Sequence, residues 1–147
     1  MPLASGPTIL ASNYLPAGGP RPSARALASV SVSHLLTEGQ QPVVPLPERE
    51  LAAIREAVAH LDPVALAKFE ADWTAATARA RDEYSLLPAR YFVEHWFSWV
   101  AVERWPQLAA RFHACERIVA EAQDRTERRA AAAGISQILR QAQTATA

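Results

Sequence analysis

The chain has 147 residues, half of them apolar, and its 15 basic and 15 acidic side chains give a formal net charge of zero. That length is typical of one domain, and the lack of a basic surplus argues against a nucleic-acid partner, because phosphate binding needs extra Lys and Arg. No apolar run reaches the roughly 18 residues of a membrane span, and the single cysteine, Cys115, excludes an internal disulfide and suits a reducing cytoplasm.

Residues 1–45 are predicted to form a disordered leader. Eight of the 11 prolines lie in the first 47 residues, and only Arg21, Arg25 and Glu38 carry charge in the first 45. Such a stretch buries too little apolar surface to offset the entropy of ordering it. Serine and valine alternate over 29–33 with the period of a strand, which would need the edge of another sheet; the alternative is an unstructured Ala/Ser tract.

Helical patterns begin after Leu46. Pro47 suits the first turn of a first helix, whose apolar stripe has the spacing of one helical face and consists of Leu51, Ile54, Val58 and Leu61. Asp62 and Pro63 then predict the end of that helix and the cap of a second one. The segment from Ser85 to Pro88 repeats this cap-and-proline signal for a third helix.

The third helix, predicted from about Pro88 to Arg104, is rich in aromatic residues. Six of the 11 aromatic side chains lie on it or just beyond it: Tyr91, Phe92, Trp96, Phe97, Trp99 and Trp105. A unit of this size buries only about 60–65% of its unfolded surface, so either the core is wide here or an aromatic patch stays open. An open patch would indicate a partner. We therefore predict that five residues are either core or partner-binding: Phe92, Trp96, Phe97, Trp99 and Trp105.

Pro106 predicts the start of a fourth helix. Short, proline-marked turns between these helices favour an all-α fold, a compact bundle of about four helices over residues 46–123. Residues 124–147 are predicted to form an Ala/Arg-rich helical tail with a frayed end. Residues 46–123 carry 12 acids and nine bases, whereas 124–147 carry four bases and two acids. The faintly acidic bundle would attract a basic protein surface.

Signals for chemistry are weak. His95 beside Glu94 could act as a general base only with a defined pocket and an orienting acceptor, and the alternative is a histidine that bridges core and surface. His113 and Cys115 are two residues apart and point to different sides of a helix, so they do not predict a shared metal. We predict that Cys115 is a small buried apolar residue. We predict no catalytic residue, no cofactor and no metal site.

Four segments together resemble a known family: Phe69-Glu70-Ala71-Asp72-Trp73, Tyr84-Ser85-Leu86-Leu87-Pro88, His95-Trp96-Phe97-Ser98-Trp99-Val100-Ala101 and Trp105-Pro106. They are similar to a small bacterial helical domain of unknown function, whose members are suggested to be antitoxin-like partners of RelE-type toxins, small basic proteins that cleave messenger RNA. The family pattern has Arg-Trp-Trp where this chain has His95-Trp96-Phe97. The likeness covers about a third of the chain.

The resemblance implies a cytoplasmic, non-enzymatic protein-binding module that neutralises a basic toxin. Residues 24–45 could order on such a partner, which is a common use of disordered segments. A self-associating structural or regulatory homodimer without a toxin partner is the alternative. Neither hypothesis includes a membrane or a nucleic acid.

Overall fold

The structure, a computed structural model, describes residues 41–145. Within that range the regular secondary structure consists of five helices: α1 (Leu51–Leu61), α2 (Pro63–Asp82), α3 (Leu87–Glu103), α4 (Pro106–Glu121) and α5 (Arg125–Thr144). The all-α prediction is confirmed, but the bundle has one helix more than the predicted four. The serine–valine alternation of 29–33 and most of the predicted leader lie outside the described residues. None of the five helices is long and apolar enough to cross a membrane.

Helix α1 begins four residues later than predicted. Pro47 lies in an irregular segment, and Glu50, the N-cap, still has extended backbone angles of φ −121° and ψ 143°. Tertiary contacts explain the delay, because the amide of Val43 donates to the carbonyl of Arg104 at 2.8 Å and the side chain of Val44 is buried in the core. The packed part of the chain therefore starts before the predicted boundary at Leu46.

The predicted helix starts at the other turns agree with the structure. The Asp62 side chain accepts a hydrogen bond from the amide of Val64 at 2.9 Å, and Pro63 is the first residue of α2. Pro88 lies in the first turn of α3, and α4 begins at Pro106. These positions tolerate proline because a first-turn amide has no partner within the helix.

Helix α3 lies at the centre of the bundle and packs against all four other helices. On one side its rings join α1 and α2 in an apolar cluster that includes Ile54, Phe69 and Trp96. On the other side its last turn meets α4 and α5 in a second cluster that includes Leu108 and Ile138. The aromatic helix is thus covered from two directions, which explains how a small bundle encloses so many rings.

Helix α5 is the predicted Ala/Arg-rich helix, and it packs as a full member of the bundle. Within the described residues it is regular to Thr144, so the prediction of a frayed end is wrong there. Asp124 caps it by accepting hydrogen bonds from the amides of Thr126 and Glu127 at 3.1 Å. One face is buried, and most of its residues are small: Ala131, Gly134, Ile138 and Ala142. Small side chains let the α5 backbone approach its neighbours closely. The alanine-rich composition shows little sign that this face is buried.

Arg104 closes the bundle where three parts of the chain meet. Its side chain is buried, and its guanidinium donates to the carbonyls of Val44 and Ala145 and lies 4.9 Å from the ring centroid of Trp105. Burial lowers the pKa of Arg104 because desolvation disfavours the charged form. The arginine thereby links the segment before α1, the end of α3 and the end of α5.

Candidate functional site

The structure divides the five predicted core-or-partner residues into two groups. Four of them are interior side chains, at most 6% exposed: Phe92, Trp96, Phe97 and Trp105. The Phe69 ring meets Phe92 and Trp96 edge-on, at centroid distances of 4.9 and 5.2 Å. The fifth, Trp99, is only partly buried and lines a groove. The possibility that these rings form an open aromatic patch is therefore wrong for all but Trp99.

A different apolar patch is open to solvent, at the turn between α2 and α3. Within eight consecutive residues it exposes four large side chains, here named the tip patch: Tyr84 (98%), Leu86 (77%), Leu87 (49%) and Tyr91 (68%). Leu87 and Tyr91 are four residues apart on α3, so they share one helical face. Single exposed hydrophobics are ordinary on a protein surface, whereas four large ones within eight consecutive residues indicate an interaction site.

The turn that carries the tip patch has a defined hydrogen-bond pattern. The Ser85 amide donates to the carbonyl of Ala80 at 3.0 Å and the Tyr84 amide donates to that of Arg81 at 3.3 Å, which is a Schellman motif at the end of α2. The Ser85 hydroxyl then accepts from the amide of Leu87, the first residue of α3, at 3.2 Å. The exposed side chains are therefore presented on an ordered turn.

Tyr84 occupies the one position of this motif that favours glycine. Its φ is +50°, the left-handed region, where a Cβ crowds the backbone at a cost of about 1–2 kcal/mol. Its ring is almost fully exposed, so packing within the described chain does not offset that cost. The Schellman hydrogen bonds hold this conformation, and a strained backbone that presents an exposed side chain is a pattern found at functional sites.

A groove with a volume of about 440 Å³ lies between α3, α4 and α5. Its apolar lining consists of Trp99, Val102, Phe112 and Leu139, and its polar lining includes three carboxylates, those of Glu94, Glu103 and Glu116. His95 and His113 also border it. Glu94 forms an ion pair with Arg49 and not with its neighbour His95, so the predicted alternative of a His95–Glu94 base gains no orienting acceptor from Glu94.

His113 bridges two of these carboxylates, and we name Glu103, His113 and Glu116 the rim triad. The His113 Nε2 lies 2.6 Å from Glu103, and its Nδ1 lies 2.8 Å from Glu116. Hydrogen bonding to Glu116, reinforced by Glu103, raises the pKa of His113 against the opposing effect of partial burial. A neutral imidazole has one N–H and can donate to only one carboxylate, so the pair favours the imidazolium.

Cys115 is fully buried on α4, and burial raises the pKa of its thiol because the thiolate is poorly solvated there. That placement agrees with the prediction of a small hydrophobe and favours the unreactive thiol. Among residues 41–145, no group of three or more His, Cys, Asp or Glu side chains is arranged to hold a metal ion.

Sequence reasoning missed both surfaces. The rim triad joins Glu103 of α3 to His113 of α4, and the spacing of residues along the sequence does not predict such a contact between helices. The tip patch does leave a local signal, since Tyr84, Leu86 and Leu87 are large apolar residues in a turn before Pro88. Turns of helical bundles are usually polar, so this composition could have indicated an exposed binding surface.

Comparison with family models, with curated proteins and with solved structures returns no match for this chain.

Proposed function

We propose that the protein is a non-enzymatic protein-binding module whose docking surface is the tip patch. The observation that carries this proposal is the coincidence of four exposed large apolar side chains with a strained backbone at Tyr84. Tyrosine is enriched among binding hot spots, and leucine side chains add apolar area that is buried when a partner docks. At the tip these side chains stabilise little within the bundle itself.

The surface beside the tip patch has two hollows that side chains of a partner could enter. Leu86 borders a hollow of about 330 Å³ that Trp73, Val93 and Arg90 also line. Tyr91 borders another, of about 290 Å³, together with Asp72 and Arg79. Leu86 and Tyr91 could enter pockets on a partner, and the partner's side chains could enter these hollows. Arg90 and Arg79 supply polar groups at the edges.

The narrower role of an antitoxin-like neutraliser rests on the sequence resemblance and on the acidic character of the bundle. In that role the tip patch would contact a small basic toxin, and the three carboxylates of the groove would add attraction at longer range. The self-associating homodimer is the second candidate, and the same exposed patch favours it, because an isologous dimer can bury one apolar surface against its copy.

Site-specific photocrosslinking separates these candidates. A benzophenone amino acid replaces Leu86 or Tyr91 in the full chain inside its own cells, and the control places it at Val64, which is 82% exposed at the other end of α2. Val64 lies about 27 Å along the helix from the tip, so a partner docked on the tip leaves it free.

The proposal predicts a discrete adduct with a different protein from the two tip positions and none from Val64. An adduct of twice the 16.0 kDa chain mass, from the tip alone, would instead establish the homodimer. Equal labelling from all three positions, or no adduct at all, contradicts a docking role for the tip patch.

A further inference from the structure

The groove between α3, α4 and α5 lies apart from the tip patch and has the properties of a ligand site. Its volume of about 440 Å³ falls in the range of small-molecule pockets, which are lined mainly by apolar and aromatic side chains with a few placed polar groups. Trp99 and Phe112 supply aromatic rings from two different helices, and Leu139 supplies an apolar surface from a third. Three helices thus form the walls of one concave surface.

The polar groups of the groove are mostly of one sign. From α3 it is faced by Glu94, His95 and Glu103, and from α4 by His113 and Glu116, whereas α5 contributes only Leu139. Glu94 forms an ion pair with Arg49, which leaves Glu103 and Glu116 as the carboxylates of the groove that contact His113. The Glu103 side chain is only 21% exposed, so its charge is more costly to leave unpaired than a surface carboxylate.

His113 already lies between these two carboxylates. Its Nε2 and Nδ1 are within hydrogen-bond distance of Glu103 and Glu116, and when the ring is protonated it donates to both. Its side chain is half exposed, so the ring can turn toward solvent and vacate the position between the carboxylates. An external cation with two or more N–H donors could then take the same hydrogen bonds.

We propose that the groove binds a small organic cation, an ammonium with an apolar or aromatic body, whose charged head lies between Glu103 and Glu116 and whose body packs on Trp99 and Phe112. Charge complementarity selects a cation, and the rings of Trp99 and Phe112 provide an apolar surface for its body. The apolar walls reject fully hydrated ions such as sodium, because they offer no replacement for the hydration shell. This site is independent of the proposed protein-binding function.

A matched pair of probes tests the charge requirement. Protonated 2-phenylethylamine carries the ammonium and an aromatic body, and 2-phenylethanol is its neutral counterpart of the same size and shape. We expect the amine to bind about tenfold more tightly than the alcohol, as followed by nuclear magnetic resonance titration of the full chain at pH 7. The ring signals of His113 and His95 should shift on titration. Those of His60, which borders a different hollow beside α1, should not.

Substitution of the carboxylates tests the assigned position. The double variant Glu103→Gln and Glu116→Gln should reduce affinity for the amine about tenfold and leave binding of the alcohol unchanged. The matched control is Glu121→Gln, which removes an exposed carboxylate near the end of the same helix α4 and should have no effect. If the double variant does not fold, the histidine shifts in the unaltered protein still decide the question.

Equal affinity for amine and alcohol overturns the proposal, as does the lack of a saturable shift at His113. A third result would also overturn it: a short basic peptide that shifts the rim triad when the free amine does not, since the groove would then recognise a protein segment instead of a small cation.

Discussion

Trp96 and Tyr91 stand five residues apart on α3 and meet opposite surroundings. The Trp96 indole is 2% exposed and packs among Phe69, Phe92 and Trp99, whereas the Tyr91 ring is 68% exposed. One turn and a half of helix therefore separates a side chain that stabilises the fold from one that is available to a partner. The difference predicts opposite consequences of mutation.

Trp96→Ala should reduce the free energy of unfolding by about 3–5 kcal/mol, because it removes a large ring from a packed interior. Urea denaturation followed by circular dichroism measures the change. Val64→Ala, at a site 82% exposed, is the control and should stay within about 0.5 kcal/mol of the parent protein. A Trp96 variant as stable as that control would mean that the ring is not enclosed.

His113 predicts a pH dependence of stability. Its folded-state pKa is raised by Glu116 and Glu103, so its contribution is fully present below the ordinary histidine value of about 6.5 and is lost as pH rises through the higher folded value. Between pH 5.5 and 8.5 the urea midpoint of the parent protein should fall by more than that of His113→Gln. His60→Gln serves as the control and should retain the parent's dependence. Identical profiles for the parent and His113→Gln would contradict the bridging role.

At the scale of elements, α5 shows how a helix of small residues contributes to a core. Ala131, Gly134 and Ala142 bury little area each, but they bring the α5 backbone close to its neighbours and position Ile138 in the second apolar cluster. The helix is also capped at its start by Asp124 with two hydrogen bonds. The bundle thus needs α5 to close the side of α3 that α1 and α2 leave open.

Ile138→Ala should therefore cost about 2–5 kcal/mol of unfolding free energy, the usual range for a buried aliphatic truncation. Val119→Ala on α4 is a suitable comparison, since that side chain is 36% exposed and should cost much less. The two variants can be compared by urea denaturation. If Ile138→Ala leaves the urea midpoint unchanged, α5 does not contribute to the core as described.

Most of the element boundaries could be predicted because they depend on local chemistry. Asp62, Pro63 and Pro106 mark helix ends through caps and missing amides, which act within one turn. The start of α1 could not be predicted, since it depends on the contact of Val43 with Arg104, 61 positions away. The burial of the aromatic rings could not be predicted either, because it depends on contacts between helices. Three of the rings are covered by α1 and α2, and Trp105 is covered by α4 and α5.

At the scale of the whole molecule, the bundle encloses most of its rings and keeps a few large side chains outside. The enclosed rings form the contact between α3 and its neighbours, and the exposed ones gather at the α2–α3 turn. The groove with the rim triad lies elsewhere, where α3 meets α4 and α5. If the two proposals hold, folding and recognition use different parts of α3 and its neighbours.

This division can be tested most directly at Tyr84, where a strained backbone presents an exposed ring. Replacement by glycine relieves the left-handed strain, so Tyr84→Gly should raise the free energy of unfolding by about 1 kcal/mol, as measured by urea denaturation. Tyr84→Ala removes the ring but keeps a Cβ, and should leave stability nearly unchanged. A loss of stability in the glycine variant would contradict the account, because it would mean that the Tyr84 side chain holds the fold together.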